Sequence, residues 1–423
     1  MKSEKIKFIL LLLIIAGLSG HVNAGEIQQS ITGSDVFSQT SMNSSGDLII
    51  AGDPGTGILA LITKDGSPEW AYQTGLNISG VAISGNGEYI SCVSREGDVL
   101  LFDYSGNLLW KESIDGCNPK TVLSENGSTC LVYNDDLPDY PYTHTLHVFD
   151  INGTELFSKR VPAIDSAGVS SDEKYLFAGT SHITRGKLYS RSGDLQWGYK
   201  FSQPSFISAN PRASTSEDLN LIGIVDLTKV TCLDKAGNEL FNKNMSFLVK
   251  DKPSYKRPLV FIDVAGNGGR LVTGSEFIVY CLNSAGSTLW SFEFENGSSN
   301  NIGSAAISYD GGLVAVSCGN NLYVLDEDGD VRSKYDIDLP VKRIFISDNG
   351  DVVAGGATGG IVYLLSGETG LISIDVGNLS VQPVPTVGVP TQTPAETEQT
   401  VPVSFALPLL AFVITLVLQN RRN

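Results

Sequence analysis

Methionine and histidine are scarce, with 3 and 4 copies among 423 residues, and His21 falls in an N-terminal leader. The 6 cysteines are scattered, with no adjacent pair and no Cys-x-x-Cys, so the common thiolate zinc spacings are excluded. Basic residues are outnumbered: 29 Lys and Arg stand against 46 Asp and Glu, for a net charge of −17. Lys2, Glu4, Lys5 and Lys7 near the start and Arg421 and Arg422 at the end are locally basic, so the segment between is more acidic still. Such a body repels phosphate backbones, which excludes nucleic acid as a partner. No apolar run reaches the roughly 20 residues of a full membrane span.

Two shorter apolar runs are present, one at each end. Lys2, Lys5 and Lys7 precede Phe8 to Leu18, and Val22-Asn23-Ala24 ends in a small residue. This is the form of a secretory signal over residues 1–24, cleaved after Ala24; an uncleaved anchor is the alternative. Residues 378–402 are rich in Pro, Thr, Val and Gln, with five prolines from Pro383 to Pro402, and read as an extended stalk. Val403 to Leu418 is then apolar and is followed by Arg421 and Arg422. By the positive-inside rule it reads as one transmembrane helix with residues 419–423 cytoplasmic. Residues 25–377 are thereby placed on the outer face of the cell. This layout resembles archaeal surface proteins with a C-terminal sorting signal. The Pro-Gly-Phe tripeptide of that signal is absent, so a retained helix is expected. Seven Asn-x-Ser/Thr triplets, at Asn43, Asn77, Asn126, Asn152, Asn244, Asn296 and Asn378, are glycosylation candidates in an exported chain.

Glycine is abundant, at 45, and it marks a repeat. An apolar run, a polar turn ending in Gly and often a Trp four residues later recur eight times. Examples are VLLFDYSGNLLW (Val99 to Trp110) and VYCLNSAGSTLW (Val279 to Trp290). The turn glycines are Gly66, Gly106, Gly153, Gly193, Gly237, Gly286, Gly329 and Gly370. A second landmark precedes each, as in VAISGNGEYISCVS (Val81 to Ser94): strand, a turn of residues that accept positive φ, strand. Each unit is therefore four short antiparallel strands. A unit this small cannot bury both faces alone, and radial stacking buries them against each other. The expected fold is an all-β propeller of eight four-stranded blades over about Gln39 to Gly377. Glu26 to Thr32 is a possible outer strand closing the ring; Leu371 to Val376 competes for that slot, so seven blades is the alternative.

The form Asp/Asn-x-x-Gly-x-x-x-Trp resembles the tryptophan-docking repeats of the PQQ-like propeller superfamily. Trp70, Trp110, Trp197 and Trp290 hold the docking position, with Phe157 and Phe241 as substitutes. The resemblance implies a structural role, a ring filling the gap between blades. It also raises a PQQ-dependent oxidoreductase as the alternative function. Such enzymes show adjacent cysteines, a calcium site and an Asp base, and no adjacent cysteines occur here.

Few residues remain for chemistry. Cys117 and Cys130 form the one plausible disulfide, while Cys232 and Cys281 occupy equivalent strand positions and are expected to stay apart. His144 and His147, three apart in a strand, fall on opposite faces, which disfavours a zinc pair. Asp326, Asp328 and Asp330 have the oxygen spacing of a calcium loop, but the same position is a hairpin turn in the other repeats. The insertion Asn134 to His144 carries Asp135, Asp136, Asp139, Tyr140 and Tyr142, and Val249 to Pro258 is an irregular basic loop with Lys252, Lys256 and Arg257. These are the binding-loop candidates. The sequence therefore points to a non-catalytic surface module for an envelope protein or glycan, with no cofactor beyond the calcium candidate.

Overall fold

The computed structural model describes residues 39–387, apart from 136–142, 163, 181–183, 201–211, 227, 246–247, 250–251, 257–258, 295–301 and 368. The signal over 1–24, the strand expected at Glu26 to Thr32 and the helix at Val403 to Leu418 lie outside these residues. So do Asp136, Asp139, Tyr140, Tyr142, Arg257 and Asn296.

The chain forms eight four-stranded antiparallel sheets, each from consecutive strands. They cover residues 39–73, 78–113, 117–162, 164–200, 212–244, 261–293, 302–336 and 341–375, blades 1 to 8. The first strand of each blade is innermost, in contact with the first strand of its neighbours. Gln39–Met42 of blade 1 meets Val341–Ile346 and Val352–Ala357 of blade 8, so the ring closes. The fourth strand of blade 8 is Gly370–Asp375, the next segment in the chain, and this removes the seven-blade alternative. Eight apolar clusters fill the molecule, one at each seam between blades. Alternate side chains of a strand serve the two faces of its sheet, so every blade contributes to two of these clusters.

The turn glycines explain how the seams are sealed. At Gly153 the backbone has φ +84°, and a β-carbon there would meet the ring of Trp110 at 2.9 Å. The missing side chain is what lets the indole lie on the next blade's turn. The same pairing joins Trp70 to Gly106, Phe157 to Gly193, Trp197 to Gly237, Phe241 to Gly286 and Trp290 to Gly329. The indole nitrogens of Trp70, Trp110 and Trp197 donate to the carbonyls of Tyr104 (2.9 Å), Ile151 (3.0 Å) and Lys235 (2.9 Å). Around the turn itself, a side-chain oxygen of Asp103, Asp150, Asp234, Asn283 or Asp326 accepts the backbone N–H four residues on. The series ends at blade 7, where Ser333 stands in place of the ring. At the closing seam the aliphatic side chains of Ile372 and Ile374 cover Gly66.

The closing seam has a second support. Residues 376–387, expected to begin the stalk near Asn378, make a short 3-10 turn (Val376–Asn378) and a two-residue strand, Gln382–Pro383. That strand lies parallel to the outer strand Pro68–Gln73 of blade 1. Leu379 packs into the core between blades 8 and 1, and Val384 into the core between blades 1 and 2. Proline is tolerated at such an edge because no further strand needs its N–H.

Candidate functional site

The two rims of the ring differ. On one, the turns between first and second strands form a collar of backbone hydrogen bonds. Ser44 N–H donates to Gly85, Asn86 to Glu125, Ser171 to Glu217, Glu217 to Gly266, Asn267 to Tyr309, Tyr309 to Asp348, and Asp348 back to Ser44. Seven of eight seams are bridged in this way, at 2.7–3.1 Å. At the eighth, between blades 3 and 4, Ser128 Oγ donates to Glu173, and Arg191 donates to the carbonyl of Ser128 at 3.1 Å. The strands that bound the four longest connections, 136–142, 201–211, 245–260 and 294–301, end at the opposite rim, on the arc from blade 3 to blade 7.

Between the rims lies an axial cavity of about 690 Å³, lined by the innermost strands of blades 2 to 8. Among the described residues, Lys120, Lys342, Arg343 and Asp263 are the charged ones that line it. Asp263 Oδ1 accepts from Ser214 Oγ (2.8 Å) and Oδ2 from Ile307 N–H (3.0 Å), so its carboxylate ties blades 5, 6 and 7 together. Burial pushes its pKa up to about 6, against the opposing pull of those hydrogen bonds. Lys120 Nζ donates to the carbonyl of Ser79 (2.7 Å), and the Arg343 guanidinium sits 5.5 Å from the Phe345 ring centroid. At the collar mouth the charge reverses. Glu125, Glu217 and Asp348 occupy equivalent turn positions, and Glu125 accepts from Ser44 Oγ at 3.0 Å. Burial, then the charges of Asp348, Glu125 and Asp218, raise the Glu217 pKa to about 7; burial and Glu125 raise that of Asp348.

Several sequence expectations need correction. Neither Cys117 nor Cys130 is bonded in a disulfide. Cys130 pairs with Leu123 across the strands and Cys117 with Asp135, so the two cysteines stand at opposite ends of one hairpin. Six residues of strand separate them, roughly 20 Å, well beyond disulfide reach. At Asp326, Asp328 and Asp330, the calcium candidate, the structure shows a hairpin turn. Asp326 Oδ1 accepts from the N–H groups of Asp328 (3.1 Å) and Asp330 (2.9 Å), which is the turn-forming role of its counterparts. Among the described residues no cluster of His, Cys, Asp or Glu is arranged to hold a metal ion. The basic loop around Lys252 and Lys256 is a small hairpin, Leu248–Val249 against Lys252–Lys256.

Other residues sit where the pattern puts them. His144 pairs with Val161 and His147 with Ser158 with no bulge between, so they face opposite ways. His144 Nδ1 accepts from Ile164 N–H at 2.9 Å, and His147 Nδ1 meets Glu155 Oε1 at 2.7 Å. Cys232 and Cys281 are buried free thiols opposite Phe241 and Trp290. Burial pushes the Cys92 and Cys130 thiols up to about 12 and those of Cys281 and Cys318 to about 11. None of these four is a thiolate near neutral pH. Asp135 pairs with His144 at the point where the long insertion leaves blade 3. The axial residues Lys120, Asp263, Lys342 and Arg343 were missed. Lys120 and Arg343 each stand four residues before the first-turn serine of their blade, Ser124 and Ser347, and counting back from that turn is the signal that finds them.

The fold is shared widely. The crystal structure of BamB from Moraxella catarrhalis superposes with a TM-score of 0.60 at 15% identity, over 80% of this chain and 99% of that one. The Dos1 propeller gives 0.60 at 12% identity, over 81% and 94%. The C-terminal WD40 domain of Sif2 gives 0.59 at 11%, over 79% and 98%. At such identities the likeness speaks for the fold alone. No curated protein matches the sequence. The repeats themselves, over residues 95–403, match the family described as outer membrane protein assembly factor BamB, and the chain belongs to that family.

Proposed function

We propose that this protein is a non-catalytic docking module that holds a partner protein on the rim carrying the long connections. The observation that carries the reading is the division between rims. One is locked into a hydrogen-bonded collar, while the other concentrates connections 136–142, 201–211, 245–260 and 294–301 on one arc. Loops positioned on a rigid scaffold are where recognition is usually built. The family's description as an assembly factor supports protein binding in general. The finer reading rests on the sequence: an exported, single-pass protein of archaeal surface type, glycosylated, with an envelope protein or glycan as partner. Its contact residues are Asp135, Asp136, Asp139, Tyr140 and Tyr142 from one connection and Lys252, Lys256 and Arg257 from another.

The test is cross-linking of the full-length chain on its own cells, from cysteines introduced at positions in the two rims. Adducts confined to the long-connection rim, and lost when residues 136–142 are shortened, are expected. Adducts from the collar alone would sink the reading. Saturable binding of pyrroloquinoline quinone with calcium, accompanied by dye-linked alcohol oxidation, would replace it with the oxidoreductase.

A further inference from the structure

The seam between blades 2 and 3 holds a second cavity, of about 360 Å³, away from the axis. One wall is the end of blade 2, with Glu112 and Asp115; the other is blade 3, with His147, Phe149 and Glu155. Phe149 belongs to the apolar core of this seam and lies 5.7 Å from the Trp110 ring. The side chains that give the cavity its chemistry are acceptors. Glu155 Oε1 meets His147 Nδ1 at 2.7 Å. An ionised carboxylate only accepts, so Nδ1 carries the proton of the neutral imidazole and Nε2 keeps its lone pair. Nε2 is buried and has no hydrogen-bond partner. Asn134 adds a second orphan in the same seam. Its Nδ2 donates to the Asp115 carbonyl across the seam, while its buried Oδ1 has no donor. Buried acceptors are ordinarily paired, so two left unpaired in one seam mark a place where donors belong. At the mouth, Glu112 and Asp115 are exposed, and among the described residues neither carboxylate has an ion-pair partner.

We propose that this cavity binds a small alkylamine through its primary ammonium group. His147 Nε2 accepts from the group at the floor, and Glu112, Asp115 and Glu155 supply the opposite charge at the mouth. A primary ammonium carries three N–H donors and one positive charge, the complement of an imidazole lone pair beneath carboxylates. A metal ion suits the place less well, because among the described residues no cluster of His, Cys, Asp or Glu is arranged to hold one. The Phe149 ring offers the alkyl stem an apolar wall. A void of about 360 Å³ is at the small end of ligand sites, so the stem is short.

The experiment is calorimetric titration of the full-length chain with n-butylammonium chloride and, separately, tetramethylammonium chloride, at ionic strength held constant with sodium chloride. Saturable binding of n-butylammonium is expected, and none of tetramethylammonium, which has the charge but no N–H. Glu112→Gln with Asp115→Asn should weaken binding about tenfold or more, since each charge-assisted bond removed is worth a factor of that order. Both positions are exposed, so the fold should survive. His147→Phe, which keeps a ring but removes the lone pair, should weaken it by a similar factor. Glu69→Gln, exposed on the outer strand of blade 1, should bind as the parent does. No saturable heat with n-butylammonium would overturn the site. Equal binding of tetramethylammonium, undiminished binding in the cavity variants, or equal loss in Glu69→Gln would also overturn it. The partner-docking reading does not depend on this outcome, and the cross-linking result does not bear on it.

Discussion

Arg270 occupies the acceptor that Trp290 would otherwise use. In three other blades the docking indole donates to the carbonyl two residues before the turn glycine. For Trp290 that carbonyl belongs to Glu327, and Arg270 Nη1 donates to it at 3.1 Å while also reaching Gly311 at 3.2 Å. The buried Trp290 Nε1 is left without a partner. Replacing the indole by a phenyl ring should therefore cost less at Trp290 than at Trp110. The difference should be about 1 kcal/mol, one net hydrogen bond, in denaturant midpoints of the two Phe variants. Equal losses would mean that the N–H bonds contribute nothing to docking.

Gly153→Ala should be far more damaging than Gly370→Ala. Both positions have positive φ, +84° and +73°, and both substitutions carry that backbone cost, on the order of 1 kcal/mol. Only at Gly153 does the new carbon also strike a ring; at Gly370 nothing lies within 4 Å. Thermal melts of the two variants decide the matter, with the lower midpoint expected for Gly153→Ala.

Stability should fall as pH rises from about 4.5 to about 7. The carboxyl of Glu217 binds its proton more tightly in the folded chain, with a pKa near 7 against an ordinary 4.5, and Asp263 behaves alike with a value near 6. Across that window the folded state holds protons that the unfolded state has lost, so rising pH favours unfolding. Asp172, held down at about 2 chiefly by Ser170, acts only at more acid pH. Melting midpoints read from pH 5 to 8 should decline, and Glu217→Gln should flatten the decline. A slope unchanged in that variant would place the titration elsewhere.

Glycan occupancy should follow exposure. Asn43 is buried, and its amide is tied to Ser45 Oγ and Leu48 N–H within its turn. Asn126 and Asn152 are exposed in turns. If the chain is exported and glycosylated as proposed, peptide mass spectrometry of the protein from its own cells should find glycan at one or both of the latter and none at Asn43. A modified Asn43 would mean that the glycan is added before that turn folds.

The blades were legible because their signals are local. An apolar strand, an Asx turn, a glycine and a ring stand within a dozen residues of one another, and eight copies average away the noise of any one. Closure was not legible, since Ser333 replaces the ring at the seam between blades 7 and 8, and at the last seam an aliphatic residue, Ile372, holds the ring's place with no pattern to announce it. Cys117 misled because it opens a strand and so stands at the far end of the hairpin from Cys130. The axial cations escaped notice because they are neighbours only around the ring, one per blade and far apart in sequence. Their relation appears once each inner strand is counted from its own turn.

Because each blade is spun from one unbroken stretch of chain, the ring has no privileged origin. The first and last blades touch as any neighbours do, helped by the short strand Gln382–Pro383. A gene cut between two blades, with the old ends joined, should encode the same ring with its termini in a different sector. Where the chain begins and ends is then a variable separate from the architecture, and moving that point around the ring would not alter a single blade.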